Sequence, residues 1–235
     1  SAASDVYKRQ VKSSASAYAD YEQNIGGVET LFKNNADTIV KYASEAYKTA
    51  GISANDYMQN VTSFSASLLQ GLGGDTAQAA EIANEAMVDM SDNANKMGTD
   101  ISSIQNAYQG FAKQNYTMLD NLKLGYGGTA AEMARLINDS GVLGDSIKVD
   151  EKTVNSVSFD KMIEAIHKVQ TDLDITGTTS KEAATTVSGS LGSVKAAWAN
   201  LMAGMGDKNA DLKNLIKEMV STVKTFAKNI MPVIK

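Results

Sequence analysis

Apolar residues recur at steps of three and four along most of the chain, the spacing that places side chains on one face of an α-helix. The clearest early series runs through Ala36, Ile39, Ala43 and Ala46 to Ala50, directly before a glycine. Comparable series, which predict further helices, cover residues 57–68, 79–97, 101–111, 129–137, 158–173 and 180–203. The pattern predicts about eight helical segments and hardly any strand.

Glycine clusters and capping residues divide these segments. Glycines interrupt the pattern at residues 71–74, 125–128 and 141–144, whereas proline, the strongest helix breaker, occurs once. Residues 141–157 combine glycines with β-branched residues, which predicts a loop or a small hairpin. We therefore expect an all-α fold, an elongated multi-helix bundle with short glycine-rich breaks.

The last segment has the most regular apolar spacing, at alternating steps of four and three. Its predicted helix–helix or oligomer seam consists of Leu212, Ile216, Met219, Val223, Phe226 and Ile230. The seam spans only about two and a half heptads, which fits an amphipathic bundle helix slightly better than a coiled coil. Because many other helix faces are built from Ala, Ser and Gly and bury little area, we expect lateral partners and a homo-oligomer.

The order of the segments predicts the domain organisation. Residues 1–10 resemble a translated sequencing adapter (DVYKRQ) and are expected to be foreign to the natural protein. A helical core region over 20–140, a loop over 141–157 and a second helical region over 158–235 follow, as parts of a longer protein.

Composition and charge narrow the class of protein. Hydrophobic residues make up 43% and charged residues 21% of the 235 residues, which argues against intrinsic disorder. The net charge of -5 argues against a general nucleic-acid binder. Residues 208–235 are locally basic, which is typical of a solvated helix face. No apolar run is long enough to predict a membrane span.

The chain offers few residues for catalysis or metal binding. There is no cysteine and one histidine, His167, so a zinc site is not expected. Asp89, Asp92, Asn93 and Asn95 do not have the spacing of a calcium-binding loop. The glycine-rich loops lack the lysine of a phosphate-binding loop, and no GxSxG motif lies at a strand end. We predict no catalytic, cofactor-binding or metal-binding residues and a protein that is not an enzyme.

Two long segments resemble one protein family. Residues 46–129, AYKTAGISANDYMQNVTSFSASLLQGLGGDTAQAAEIANEAMVDMSDNANKMGTDISSIQNAYQGFAKQNYTMLDNLKLGYGGT, resemble the core of tail tape measure proteins from long-tailed bacteriophages and prophages of Gram-positive hosts. Residues 175–204, ITGTTSKEAATTVSGSLGSVKAAWANLMAG, are similar to a second signature of that family. The resemblance covers roughly residues 20–235.

The resemblance implies a structural protein of the virion tail that is made in the host cytoplasm. Such a protein sets tail length and leaves with the DNA at infection. The implied partners are further copies of itself, the tail tube protein, tail assembly chaperones and tail-tip proteins, with genomic DNA close by in the tail lumen. Membrane insertion and wall cleavage are not assigned to these residues, since the chain has neither a membrane-active stretch nor a hydrolase domain.

Two other classes of protein remain open. A secreted helical hairpin of the WXG type would also be rich in Ala and Ser, but Trp198 is followed by Ala199 and Asn200 within a predicted helix. A wall hydrolase, or an interaction domain associated with one, is the second alternative, against which the missing catalytic constellation weighs.

Overall fold

The computed structural model describes residues 2–234, which form ten α-helices and three short 3-10 helices without a strand. This confirms the predicted all-α, multi-helix architecture. The helices are α1 (Ala2–Phe32), α2 (Ala36–Thr49), α3 (Ala54–Gly71), α4 (Thr76–Met97), α5 (Ile101–Ala112), α6 (Ala130–Ser140), α7 (Phe159–Asp172), α8 (Thr178–Thr185), α9 (Val187–Met205) and α10 (Leu212–Ile230). Within the described chain, no helix is both long enough and apolar enough to cross a membrane.

Short polar side chains start several of these helices. The Asp75 carboxylate accepts a hydrogen bond from the Gln78 amide at 3.0 Å, and Asp100 caps α5 in the same way. Such caps satisfy amides at the first turn that have no partner inside the helix. Gly98 ends α4 with a φ of 66°, a left-handed conformation that glycine adopts without strain.

Residues 141–157 form a loop, and the small hairpin that was the alternative is absent from this described segment. The loop contains turns and one 3-10 helix, Val154–Ser156. The Asn138 side chain donates to the Val149 carbonyl at 2.8 Å and accepts from the Val149 amide at 3.0 Å. A side chain thus satisfies the backbone groups that a partner strand would otherwise bind.

The helix predicted over residues 180–203 is interrupted. Thr186 separates α8 from α9, and its hydroxyl accepts a hydrogen bond from the Gly189 amide at 3.0 Å. The buried residues of α9 are mainly small: Ser190, Ser193, Ala196, Ala197, Asn200, Ala203 and Gly204. The large apolar residues lie on the other side, where Trp198 is 47% exposed. Small side chains let α9 approach its neighbours closely.

The chain divides into two compact units. Among the described residues, unit 1 contains 2–30, 36–59 and 179–234, so it joins α1, α2, the start of α3, and α8 to α10. Hydrogen bonds connect its helices: Asn55 donates to the Ala17 carbonyl at 3.0 Å, and the Ala54 amide donates to the Asn200 side chain at 2.8 Å. Residues 2–10, expected to be foreign, lie in the first turns of α1.

Unit 2 contains residues 31–35 and 60–178 and has the larger side chains in its core. Helices α4, α5, α6 and α7 pack against one another there. Phe64 meets Phe159 edge to face with ring centroids 6.0 Å apart, a favoured aromatic geometry. Tyr108 and Phe111 of α5 are also fully buried, with centroids 5.7 Å apart.

Candidate functional site

Helix α10 has two apolar faces, and only one of them is covered within unit 1. It packs along α9 through a face that includes the half-buried Leu215 and Phe226 and the buried Thr222. The helix runs antiparallel to α9, because the Asn229 amide group donates to the Thr186 carbonyl at 3.1 Å, next to the start of α9. The second face points away from α9.

The structure splits the predicted seam between these two faces. Met219, Phe226 and Ile230 are half-buried on the side of α9. Ile216 and Val223 lie on the second face, where Ile216 is 51% exposed. Leu212 lies at the edge of the α9 contact, beside Gly204 of α9, and is 39% exposed. An apolar band around half of a helix contains several series of residues spaced three and four apart. The single heptad series therefore combined residues from two adjacent surfaces.

We call the second face the basic stripe. Its apolar residues are Ile216, Val220, Val223 and Ala227, all exposed. Exposed lysines of the same helix lie along one side of it: Lys213, Lys217, Lys224 and Lys228. Contiguous exposed apolar residues with a polar rim are typical of protein interaction surfaces.

Unit 1 also contains an open groove of about 910 Å³ between α1, α2, the start of α3, α9 and α10. Its apolar lining includes Tyr21, Trp198 and Leu215. One described lining residue, Arg9, is cationic, and the carboxylate side chains in the lining are those of Asp20, Asp56, Asp207, Asp211 and Glu218. We call this the acidic groove.

The other notable polar site is a buried cluster in unit 2, built on the facing helices α4 and α7. The two carboxylate oxygens of Asp89 lie 2.9 and 3.0 Å from Nδ1 of His167, and Asp89 is only 1% exposed. Burial raises the pKa of Asp89 to about 6, although the hydrogen bond from His167 opposes that rise. The same hydrogen bond raises the pKa of His167.

Neighbouring polar side chains of α4 point to separate partners. Asp92 accepts a hydrogen bond from the Gly177 amide at 2.7 Å. Asn93 donates to the Leu122 carbonyl at 2.8 Å and to the Gln170 side chain at 2.9 Å. The Asp92 and Asn93 side chains therefore point to different parts of unit 2. Their hydrogen bonds join α4 to α7 and to two loops.

A metal site at His167 is disfavoured by the geometry of the ring. Glu85, Asp89 and His167 bring ligand atoms within 4.8 Å of one another. However, Nδ1 of His167 faces Asp89, while Nε2 lies 3.8 Å from Glu85 on the other side. One ion cannot bind both nitrogens of a ring, so the arrangement fits a histidine held between two carboxylates.

The sequence interpretation missed this Asp89–His167 pair. From the sequence, Asp89 was considered only for a calcium-binding loop and His167 only for a zinc site, whereas the two side chains are hydrogen-bonded to each other. A signal was present: Asp89 and Asn93 lie three and seven residues after the buried Ala86 and continue its helical face. The acidic groove had no such signal, because its carboxylates come from four separate segments.

Comparison with known proteins gives no further assignment. No protein-family model matches the chain, and neither a curated protein nor a solved structure matches it.

Proposed function

We propose that the chain is a structural, self-associating subunit of a bacteriophage tail, in the role of a tape measure protein. The observation that carries this proposal is the basic stripe of α10, an apolar helix face that unit 1 leaves exposed. Exposure of Ile216, Val220 and Val223 to water is unfavourable by roughly 25 cal/mol for each Å² of apolar surface. Binding of a partner that covers these side chains is favoured by the same amount. The two resembling segments in the sequence supply the tail assignment.

Two further features support a scaffolding role over the alternatives. Trp198 lies inside α9, and the α9–α10 connection is made by residues 206–211, so the hairpin lacks the tryptophan-containing turn of a WXG protein. Among the described residues, no serine or threonine hydroxyl forms a hydrogen bond with the imidazole of His167. The nearby Thr171 hydroxyl donates to the His167 backbone carbonyl instead. Both features favour a helical interaction protein.

The proposal can be tested in a bacterial strain that carries the gene in a prophage. After induction, we expect mass spectrometry of purified particles to find several copies of the chain per tail. An in-frame deletion of the gene should give particles without tails or with tails of altered length in electron micrographs. Normal tails after deletion, together with absence of the chain from particles, would contradict the proposed function.

A further inference from the structure

We propose that the basic stripe of one copy docks in the acidic groove of a second copy, so that copies join head to tail. This inference rests on the proposed self-association and specifies the two surfaces that meet. Helix-in-groove binding of this kind uses an apolar helix face for affinity and charged flanks for orientation.

Charge complementarity identifies the occupant of the groove. Five carboxylates and one guanidinium line the described groove, so its potential is negative. One flank of the stripe carries four exposed lysines, and the one acidic residue within α10, Glu218, faces the groove and not the stripe. Burial raises the pKa of Glu218, although a hydrogen bond from Asn214 and the charge of Lys48 oppose that rise.

The apolar parts also match. Trp198 is 47% exposed in the groove lining, alongside Tyr21 and Leu215, and offers a flat surface to an incoming helix. Aromatic side chains in such pockets often dominate binding energy. Val220 and Val223, which are 46% and 43% exposed, are the matching apolar residues near the middle of the stripe.

The geometry of α10 prevents its stripe from occupying the groove of the same copy. Asp211, Asn214 and Glu218, from the first two turns of α10, line the groove. Lys228 follows ten residues after Glu218, about 15 Å further along the helix. A continuous helix cannot bring its last turns into a groove that its first turns help to form. In the proposed head-to-tail arrangement the contact is heterologous, and it leaves an unused stripe and an unused groove at the two ends of every open assembly.

The test uses two full-length variants, each with one surface disabled. The groove variant is Asp20→Lys/Trp198→Ala, and the stripe variant is Val220→Ser/Val223→Ser. All four substituted residues are exposed. We therefore expect both variants to fold, with a helicity by circular dichroism equal to that of the unmodified chain. Sedimentation velocity should give concentration-dependent assembly for the unmodified chain and self-association weaker by roughly tenfold or more for either variant alone.

Mixing the two variants distinguishes the head-to-tail contact from self-association through any other surface. The groove variant keeps its stripe and the stripe variant keeps its groove, so an equimolar mixture should form a 1:1 dimer and nothing larger. A groove variant that assembles like the unmodified chain would overturn the head-to-tail contact while leaving self-association intact. A mixture that stays monomeric would also overturn it. An unmodified chain that is monomeric at every concentration would remove both proposals.

Discussion

At the scale of single residues, the pair formed by Asp89 and His167 makes the stability of unit 2 depend on pH. Folding raises the pKa of both groups, so the native state binds more protons than the unfolded chain near neutral pH. Stability from His167 is present below its unfolded pKa and is lost as pH rises through its folded pKa. For Asp89, the penalty of burying a charged carboxylate develops as pH rises through about 6.

We therefore expect the free energy of unfolding to be lower at pH 8 than at pH 5.5. Urea denaturation followed by circular dichroism at the two pH values measures the difference. The Asp89→Asn variant is the control, because it removes the titrating carboxylate and the charge that raises the His167 pKa, and its profile should be flatter. A stability that rises between pH 5.5 and pH 8 in the unmodified chain would contradict this explanation.

The two members of the pair should respond differently to substitution. His167→Ala leaves the buried Asp89 carboxylate without its hydrogen-bond donor, which should cost about 1–3 kcal/mol at pH 7. Asp89→Asn should cost less, because it buries a neutral amide in place of a charge. The midpoints of urea denaturation measure both effects, provided that the free energy of unfolding falls with urea at the same slope in each variant. A larger loss of stability for Asp89→Asn than for His167→Ala would show that the carboxylate stabilises unit 2.

At the scale of helices, two glycines of α9 differ sharply in their surroundings. A methyl group added at Gly189 would press on the backbone carbonyl of Glu182 in α8, whereas one at Gly192 would meet nothing within 4 Å. Gly189→Ala should therefore destabilise the chain by about 1–3 kcal/mol. Gly192→Ala should be neutral or stabilise it by up to about 1 kcal/mol, because alanine favours helix. Thermal unfolding of the two variants tests the close α8–α9 contact, and equal melting temperatures would contradict it.

Helix boundaries were predictable where local chemistry sets them. Asp75, Asp100 and Gly98 each act through neighbours within four residues, so the sequence alone indicates them. The break at Thr186 was not predictable in this way, because threonine is also found within helices and neither glycine nor proline marks the position. The buried face of α9 consists mainly of small residues, including Ser190, Ser193 and Asn200, which an apolar periodicity does not mark as buried.

At the scale of the whole molecule, the proposed function depends on two surfaces that unit 1 leaves uncovered. The all-α class followed from periodicity, which reports how each helix is buried by its own chain. The acidic groove depends on residues from α1, α3 and α10 and the α9–α10 connection, which are far apart in sequence, so spacing alone could not reveal it. The basic stripe was visible as an apolar series, but only the packing of α10 on α9 shows which half of that series remains exposed.

Self-association is the central claim, and light scattering coupled to size-exclusion chromatography tests it most directly. The unmodified chain should be loaded over a hundredfold range of concentration, with the Val220→Ser/Val223→Ser variant as the control. We predict a mass that rises with concentration above the 24.9 kDa of one chain, and a much smaller rise for the variant. A constant mass of 24.9 kDa at every concentration would contradict the account.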